Sequence, residues 1–211
     1  MSRSTHIRNT FTGVLLLILV SVCNQQTLAL SDSLAARWVE QQSYAEVLKK
    51  ASEPDGFTLF SRTEFAKALM RPQSRHSQSE REIAAAVLIE RTPIEEAAEL
   101  LRAVVPYMRT LPDWSLLEST MRVIWRTPEV QAESCILEFV ALALHEIAST
   151  VSLAPLPRAA RGATLAVIQS TNLLTGPSPA ESLRIIAQFS DSAAVVELAR
   201  ATARNLLSSP Q

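Results

Sequence analysis

The sequence predicts an all-α protein, a multi-helix bundle or a short α–α superhelix of helical hairpins, and three observations support that prediction. Alanine and leucine make up more than a quarter of the 211 residues, whereas only 4 are glycine. Alanine and leucine favour helices, and tight turns between strands depend on glycine. Helix-start signatures recur along the chain. Between them the apolar residues follow a helical period, with no sustained two-residue alternation.

Composition also bounds the class of protein. A net charge of −1 with 47% hydrophobic residues is typical of a folded chain and excludes a disordered charged tail as its main character. The arginines are spread along the chain and matched by acidic residues, so we expect no continuous basic surface. Nucleic acid is therefore not an expected partner.

The first thirty residues predict an export signal. A short basic head precedes an apolar run, Phe11 to Cys23, and no acidic residue occurs before Asp32. Small residues stand where a signal peptidase needs them for a cut after Ala29. We expect a signal peptide over 1–29 and a secreted, periplasmic or lumenal protein. A retained anchor is less favoured because a span needs about 20 residues, and a lipidated Cys23 lacks the usual small residue before it. Both remain alternatives.

Residues 30–211 are predicted to form a single all-α domain. Cleavage of the leader leaves Cys135 as the only remaining cysteine, so no internal disulfide can form. The hydrophobic core alone must then stabilise the fold. We interpret Cys135 as a small buried hydrophobic residue and expect no membrane span after cleavage.

Sequence signals at helix starts place the elements in order. Ser43, Ser61 and Ser77 each precede a glutamate by three residues, which is the pattern of a capping box. A hydroxyl residue before proline predicts an N-cap with proline at the first helical position. These pairs are Thr92-Pro93, Thr127-Pro128 and Ser178-Pro179. The nine predicted helices span 33–51, 61–70, 79–91, 93–109, 113–126, 128–150, 157–174, 179–189 and 191–207.

The tripeptide Arg-Thr-Pro occurs at 91–93 and again at 126–128, which is 35 residues later. Stacked helical repeats have about this period. Few other positions match, and the next interval falls on Arg161. We favour two independent copies of a common helix opener, and a degenerate helical array is the alternative.

The helix predicted at 128–150 is the most apolar element, with one polar strip. Its members are Gln131, Ser134, Glu138, His145, Glu146 and Ser149. His145-Glu146 begins like a zinc-protease motif, but Ser149 stands where the second imidazole is required. Glu138 lies two helical turns from His145, too far for direct contact. We expect a solvated or partner-facing strip, with no metal, cofactor or catalytic residue.

The most polar segment, 71–78, contains the remaining candidate binding residues, Arg71 and Arg75. Arginine and hydroxyl groups suit phosphate or carboxylate, but this composition is also typical of a solvated connector, which we favour. Trp38, Trp114 and Trp125 lie on helical apolar faces. One left exposed would mark a contact surface.

These observations predict a non-enzymatic helical protein that acts as a protein-binding or structural module. The partner is unidentified, and the sequence does not indicate the oligomeric state. A helical carrier of an apolar small molecule or lipid is the first alternative, because helices can enclose apolar cavities. A hydrolase using scattered carboxylates is the second. An exposed contact patch, an enclosed apolar cavity or two converging carboxylates of raised pKa would distinguish the three.

Overall fold

A computed structural model describes residues 33–53 and 56–208, and this part of the chain contains ten α-helices and no strand. The all-α prediction is confirmed. In chain order the helices are α1 (Leu34–Gln41), α2 (Tyr44–Ser52), α3 (Arg62–Leu69), α4 (Gln78–Arg91), α5 (Ile94–Val104), α6 (Trp114–Arg126), α7 (Ser134–Leu153), α8 (Ala160–Ser170), α9 (Pro177–Phe189) and α10 (Ala193–Ser208). The predicted leader over 1–29, with its cut after Ala29, lies outside the described residues and stays a prediction.

The prediction of one helix over 33–51 is wrong. Helix α1 ends at Gln41 and α2 begins at Tyr44, so this stretch forms two helices. Ser43 has an extended backbone (ψ 158°) and accepts a hydrogen bond from the N–H of Glu46, whose carboxylate accepts one from the N–H of Ser43. This capping box therefore starts a new helix. The capping boxes predicted at Ser61 and Ser77 are confirmed.

The N-caps predicted at Thr92 and Ser178 are wrong, whereas Thr127 directly precedes a 3₁₀ turn that has Pro128 at its first position, without a side-chain cap hydrogen bond. Thr92 and Thr127 follow the last residues of α4 and α6, where each hydroxyl donates to a backbone carbonyl four residues earlier. These bonds satisfy carbonyls that a helix end leaves without an intrahelical partner. Ser178 lies inside α9, which begins at Pro177 after Gly176 in the left-handed region (φ +92°).

Prolines and short 3₁₀ segments make several helices begin or end at residues other than those predicted. Pro106 ends α5 as expected, because Val105–Tyr107 is a 3₁₀ turn. Pro128–Val130 is also 3₁₀, so the helix predicted from 128 begins at Ser134. A third 3₁₀ turn, Thr171–Leu173, follows α8.

The helices pack in two rows. Helix α2 packs against α4, α4 against α6, α6 against α8 and α8 against α10. The other row joins α1 to α3, α3 to α5 and α7 to α9, with the 3₁₀ turn at 105–107 bridging α5 and α7. Each of the five consecutive helix pairs thus gives one helix to each row. This is the arrangement of a short α–α superhelix of hairpins.

One hydrophobic core runs between the rows and includes buried residues from every helix. Helix α7 is its most apolar element, and by length and composition it could cross a membrane. Of its most apolar window, 44% is buried inside the protein. It packs mainly on α9, with further contacts to α8 and to the 3₁₀ turns at 105–107 and 171–173.

Candidate functional site

An open cleft of about 450 Å³ lies on the face of the row that contains α4, α6 and α8. Its floor includes Met121 and Ala166. We call it the arginine cleft and define it by Glu90, Arg91, Arg122, Trp125, Arg126 and Gln169. All of these residues except Arg122 come from the last turn of their helices.

The helix ends explain how the cleft is built. Arg91 is the last residue of α4, Arg126 is the last of α6, and Gln169 is the last but one of α8. Since these ends meet in one cleft, the three neighbouring helices run in the same direction. The negative end of a helix dipole favours a cation by about 0.3–1 kcal/mol. Arg91 and Arg126 are therefore stabilised at these positions without a ligand.

Trp125 lines the site and is 48% exposed. Among the described residues no other ring or cation stacks on its indole, whereas Trp38 packs against Phe60 and Phe65 at 5.8 and 5.9 Å between ring centroids. Gln131 fixes the end of α6 by donating to the carbonyl of Trp125 at 3.0 Å. The helix end is held, but the indole is left uncovered.

Arg122 is held by a contact one helical turn away. Its guanidinium forms an ion pair with Glu118 on the same helix. A Cβ at position 162 would collide with the Glu118 carboxylate, so Gly162 lets α8 approach that ion pair closely. Arg91 and Arg126, by contrast, show no side-chain hydrogen bond or ion pair within the described part of the chain.

The candidate residues on α7 do not reach the arginine cleft. Glu138 and His145 are exposed and Glu146 is half-buried. Ser134 and Ser149 share their exposed strip. Gln131 does not belong to α7, since its side chain donates to the carbonyls that end α6. The strip therefore contacts solvent and forms no site with the cleft.

Arg71 and Arg75 lie in a loop that is tied to α1. The side chain of Arg75 donates to the Glu40 carbonyl at 3.1 Å, and its N–H donates to the Glu40 carboxylate at 3.0 Å. His76 is buried, with Nε2 3.0 Å from the Val39 carbonyl. The carbonyl of Arg71 accepts from the buried Arg81 guanidinium. The loop is thus a connector with mostly exposed side chains that hydrogen bonds hold against α1.

Hydrogen bonds lower the pKa values of three carboxylates in the described part of the chain. Burial raises the pKa of Glu40, but hydrogen bonds from Ser74 and Arg75 and nearby positive charges outweigh it, so that pKa is below its usual value. Hydrogen bonds from the Ser43 and Ser77 capping boxes lower the pKa values of Glu46 and Glu80. Within residues 33–53 and 56–208, no three His, Cys, Asp or Glu side chains form a group that could hold a metal.

Trp125 was predicted to mark a contact surface if exposed, whereas the cleft arginines were not predicted from the sequence. The available signal was the repeated Arg-Thr-Pro, whose two arginines both line the site. The fold and cleft define a two-row helical protein with an open, arginine-lined groove. No protein-family model, curated protein or solved structure matches the chain.

Proposed function

We propose that this protein is an exported, non-enzymatic helical module that binds another polypeptide through the arginine cleft. The half-exposed indole of Trp125, set among three arginines in an open groove, is the observation that carries the proposal. Tryptophan and arginine are the residues most enriched among those that dominate protein–protein binding energy.

The surroundings of Trp125 support this function. Leaving a large aromatic face in water forgoes about 1.5–3 kcal/mol of burial energy. The fold half-buries Trp38 and Trp114, yet the Trp125 ring stays exposed in a cleft lined by residues of three helices. Stacked helical hairpins present such surfaces to extended partners.

The shape and charge of the site favour a polypeptide over an apolar ligand. A carrier needs a largely enclosed apolar cavity, whereas this cleft is open and four of its lining residues are charged. A hydrolase needs carboxylates placed against each other, and Glu90 is the one carboxylate lining the cleft.

A peptide-display selection on the purified protein tests the proposal. We expect enriched peptides to bind the protein and to lose at least about tenfold in affinity with Trp125→Ala. Phe189→Ala is the matched control, because Phe189 is 47% exposed and lies outside the cleft. Circular dichroism verifies that both variants stay helical.

Two results would contradict the proposal. One is enrichment of peptides that bind Trp125→Ala as tightly as the original protein. The other is failure to enrich any peptide above the background of uncoated support.

A further inference from the structure

We infer that the arginine cleft binds an acidic linear segment, in which carboxylates contact the arginines and a neighbouring apolar side chain covers Trp125. The inference rests on the proposed function and names the chemistry of its partner. Charge complementarity, the supply of free donors and the size of the cleft support it in turn.

The charge of the cleft is positive. Three guanidinium groups line it against the single carboxylate of Glu90. Glu118 neutralises Arg122 from beside the cleft. The remaining cations, Arg91 and Arg126, have no acidic partner in the described chain, so the cleft has an excess of positive charge. A ligand with negative charge is the complement of such a site.

The donors of Arg91 and Arg126 are also unused. At each helix end a threonine hydroxyl already donates to a backbone carbonyl, at 2.7 Å in both cases. Gln131 donates to two further carbonyls at the end of α6. The two guanidinium groups are therefore available to a ligand, and their planar fork matches the two oxygens of a carboxylate.

Trp125 sets a second requirement for the ligand, which is an apolar group beside its negative charge. It lies immediately before Arg126, and its uncovered ring offers an apolar surface beside the cations. A segment that alternates acidic and apolar side chains would satisfy both surfaces at once. Binding would then bury the indole that the free protein leaves half exposed.

The dimensions favour a peptide over a nucleic acid. A volume of about 450 Å³ accommodates a few side chains, whereas nucleic-acid sites track a phosphate backbone with a run of basic residues. Glu90 interrupts the basic lining of this cleft. An oligonucleotide is therefore the competing ligand that the experiment must include.

Fluorescence anisotropy with four labelled probes tests the inference. They are a short peptide alternating Asp and Leu, its Asn–Leu counterpart, a Lys–Leu counterpart and an oligothymidine. We expect the Asp–Leu peptide to bind most tightly. Its affinity should fall as salt is added, because charges in an open site are screened over about 10 Å at 0.1 M.

Cleft variants localise the binding. Arg91→Ala and Arg126→Ala should each weaken the Asp–Leu peptide by about tenfold. Arg37→Ala and Arg200→Ala change exposed arginines outside the cleft and should leave its affinity unchanged. The double reversal Arg91→Glu with Arg126→Glu should transfer the preference to the Lys–Leu peptide.

The outcomes separate this inference from the proposed function. If the display selection yields neutral or basic peptides that still require Trp125, the cleft is a docking site but the acidic partner is wrong. Equal binding of the Asn–Leu and Asp–Leu peptides would also overturn the inference. So would tighter binding of oligothymidine that the cleft variants abolish.

Discussion

A single buried arginine holds the connection between α3 and α4, and its removal gives the sharpest test of the fold. Arg81 is 9% exposed and donates to the carbonyl of Leu69 at 3.0 Å and to that of His76 at 3.3 Å. It also donates to the carbonyl of Arg71. Leu69 is the last residue of α3, so this guanidinium supplies donors both to that helix end and to the following loop.

The substitution Arg81→Met keeps an apolar stem and removes the guanidinium. A hydrogen bond to a charged group contributes about 1.5–3 kcal/mol, and three carbonyls lose such a donor. Part of that loss is offset, because burial lowers the pKa of Arg81 and the variant no longer buries a charge. We expect a net loss of about 3 kcal/mol in the free energy of unfolding.

Urea unfolding followed by circular dichroism measures this loss. With a slope of about 2 kcal/mol per molar urea, the midpoint should fall by about 1.5 M. Arg200→Met makes the same change on the exposed face of α10 and should stay within about 0.5 kcal/mol of the original protein. If Arg81→Met matched that control, the guanidinium would not stabilise the loop and our account of the α3–α4 connection would be refuted.

Three further predictions follow from local contacts. Ser77→Ala removes the N-cap of α4 and should lower the free energy of unfolding, measured with urea, by about 1 kcal/mol. An unchanged urea midpoint would count against the capping box. Since the pKa values of Glu40 and Glu80 lie below the ordinary 4.5 in the folded protein, their stabilisation is complete above that pH and lost as pH falls below it. The urea midpoint should therefore drop on acidification, and Glu80→Gln should reduce that dependence. Inside a helix, replacing glycine by alanine usually raises the free energy of unfolding by about 0.5–1 kcal/mol. Gly162→Ala should not show this gain, because the added methyl group displaces the Glu118 side chain. In a Glu118→Ala background, the same substitution should show the gain. If the two substitutions had additive effects on the free energy of unfolding, the contact between position 162 and Glu118 would be disproved.

The capping boxes could be predicted because they depend on residues three positions apart. The missed break between α1 and α2 has a physical cause. Val39, Val47 and Ala51 are all buried in the same core, and their spacing continues one helical period across the break. The apolar pattern therefore concealed a boundary that Ser43 had marked.

The hydroxyl–proline pairs were misinterpreted because a threonine hydroxyl can both accept and donate. At an N-cap it accepts from a backbone N–H ahead of it, and at a helix end it donates to a carbonyl behind it. Thr92 and Thr127 take the second role. The same Thr-Pro pair fits either role, and the packing of the neighbouring helices decides between them.

The arginine cleft could not be derived from sequence spacing alone, because it joins three helices through the packing of one row. The recurrence of Arg-Thr-Pro nevertheless has a structural basis. Both copies end helices that are neighbours in the same row, so a step of one hairpin places Arg91 beside Arg126. This equivalence favours the array interpretation over two unrelated helix openers. At the next step Arg161 falls at the start of α8, which is the end of that helix away from the cleft, and Gln169 takes the third position in the cleft. The positive lining therefore stops at α8, so the acidic segment that we propose would find its cationic contacts on α4 and α6.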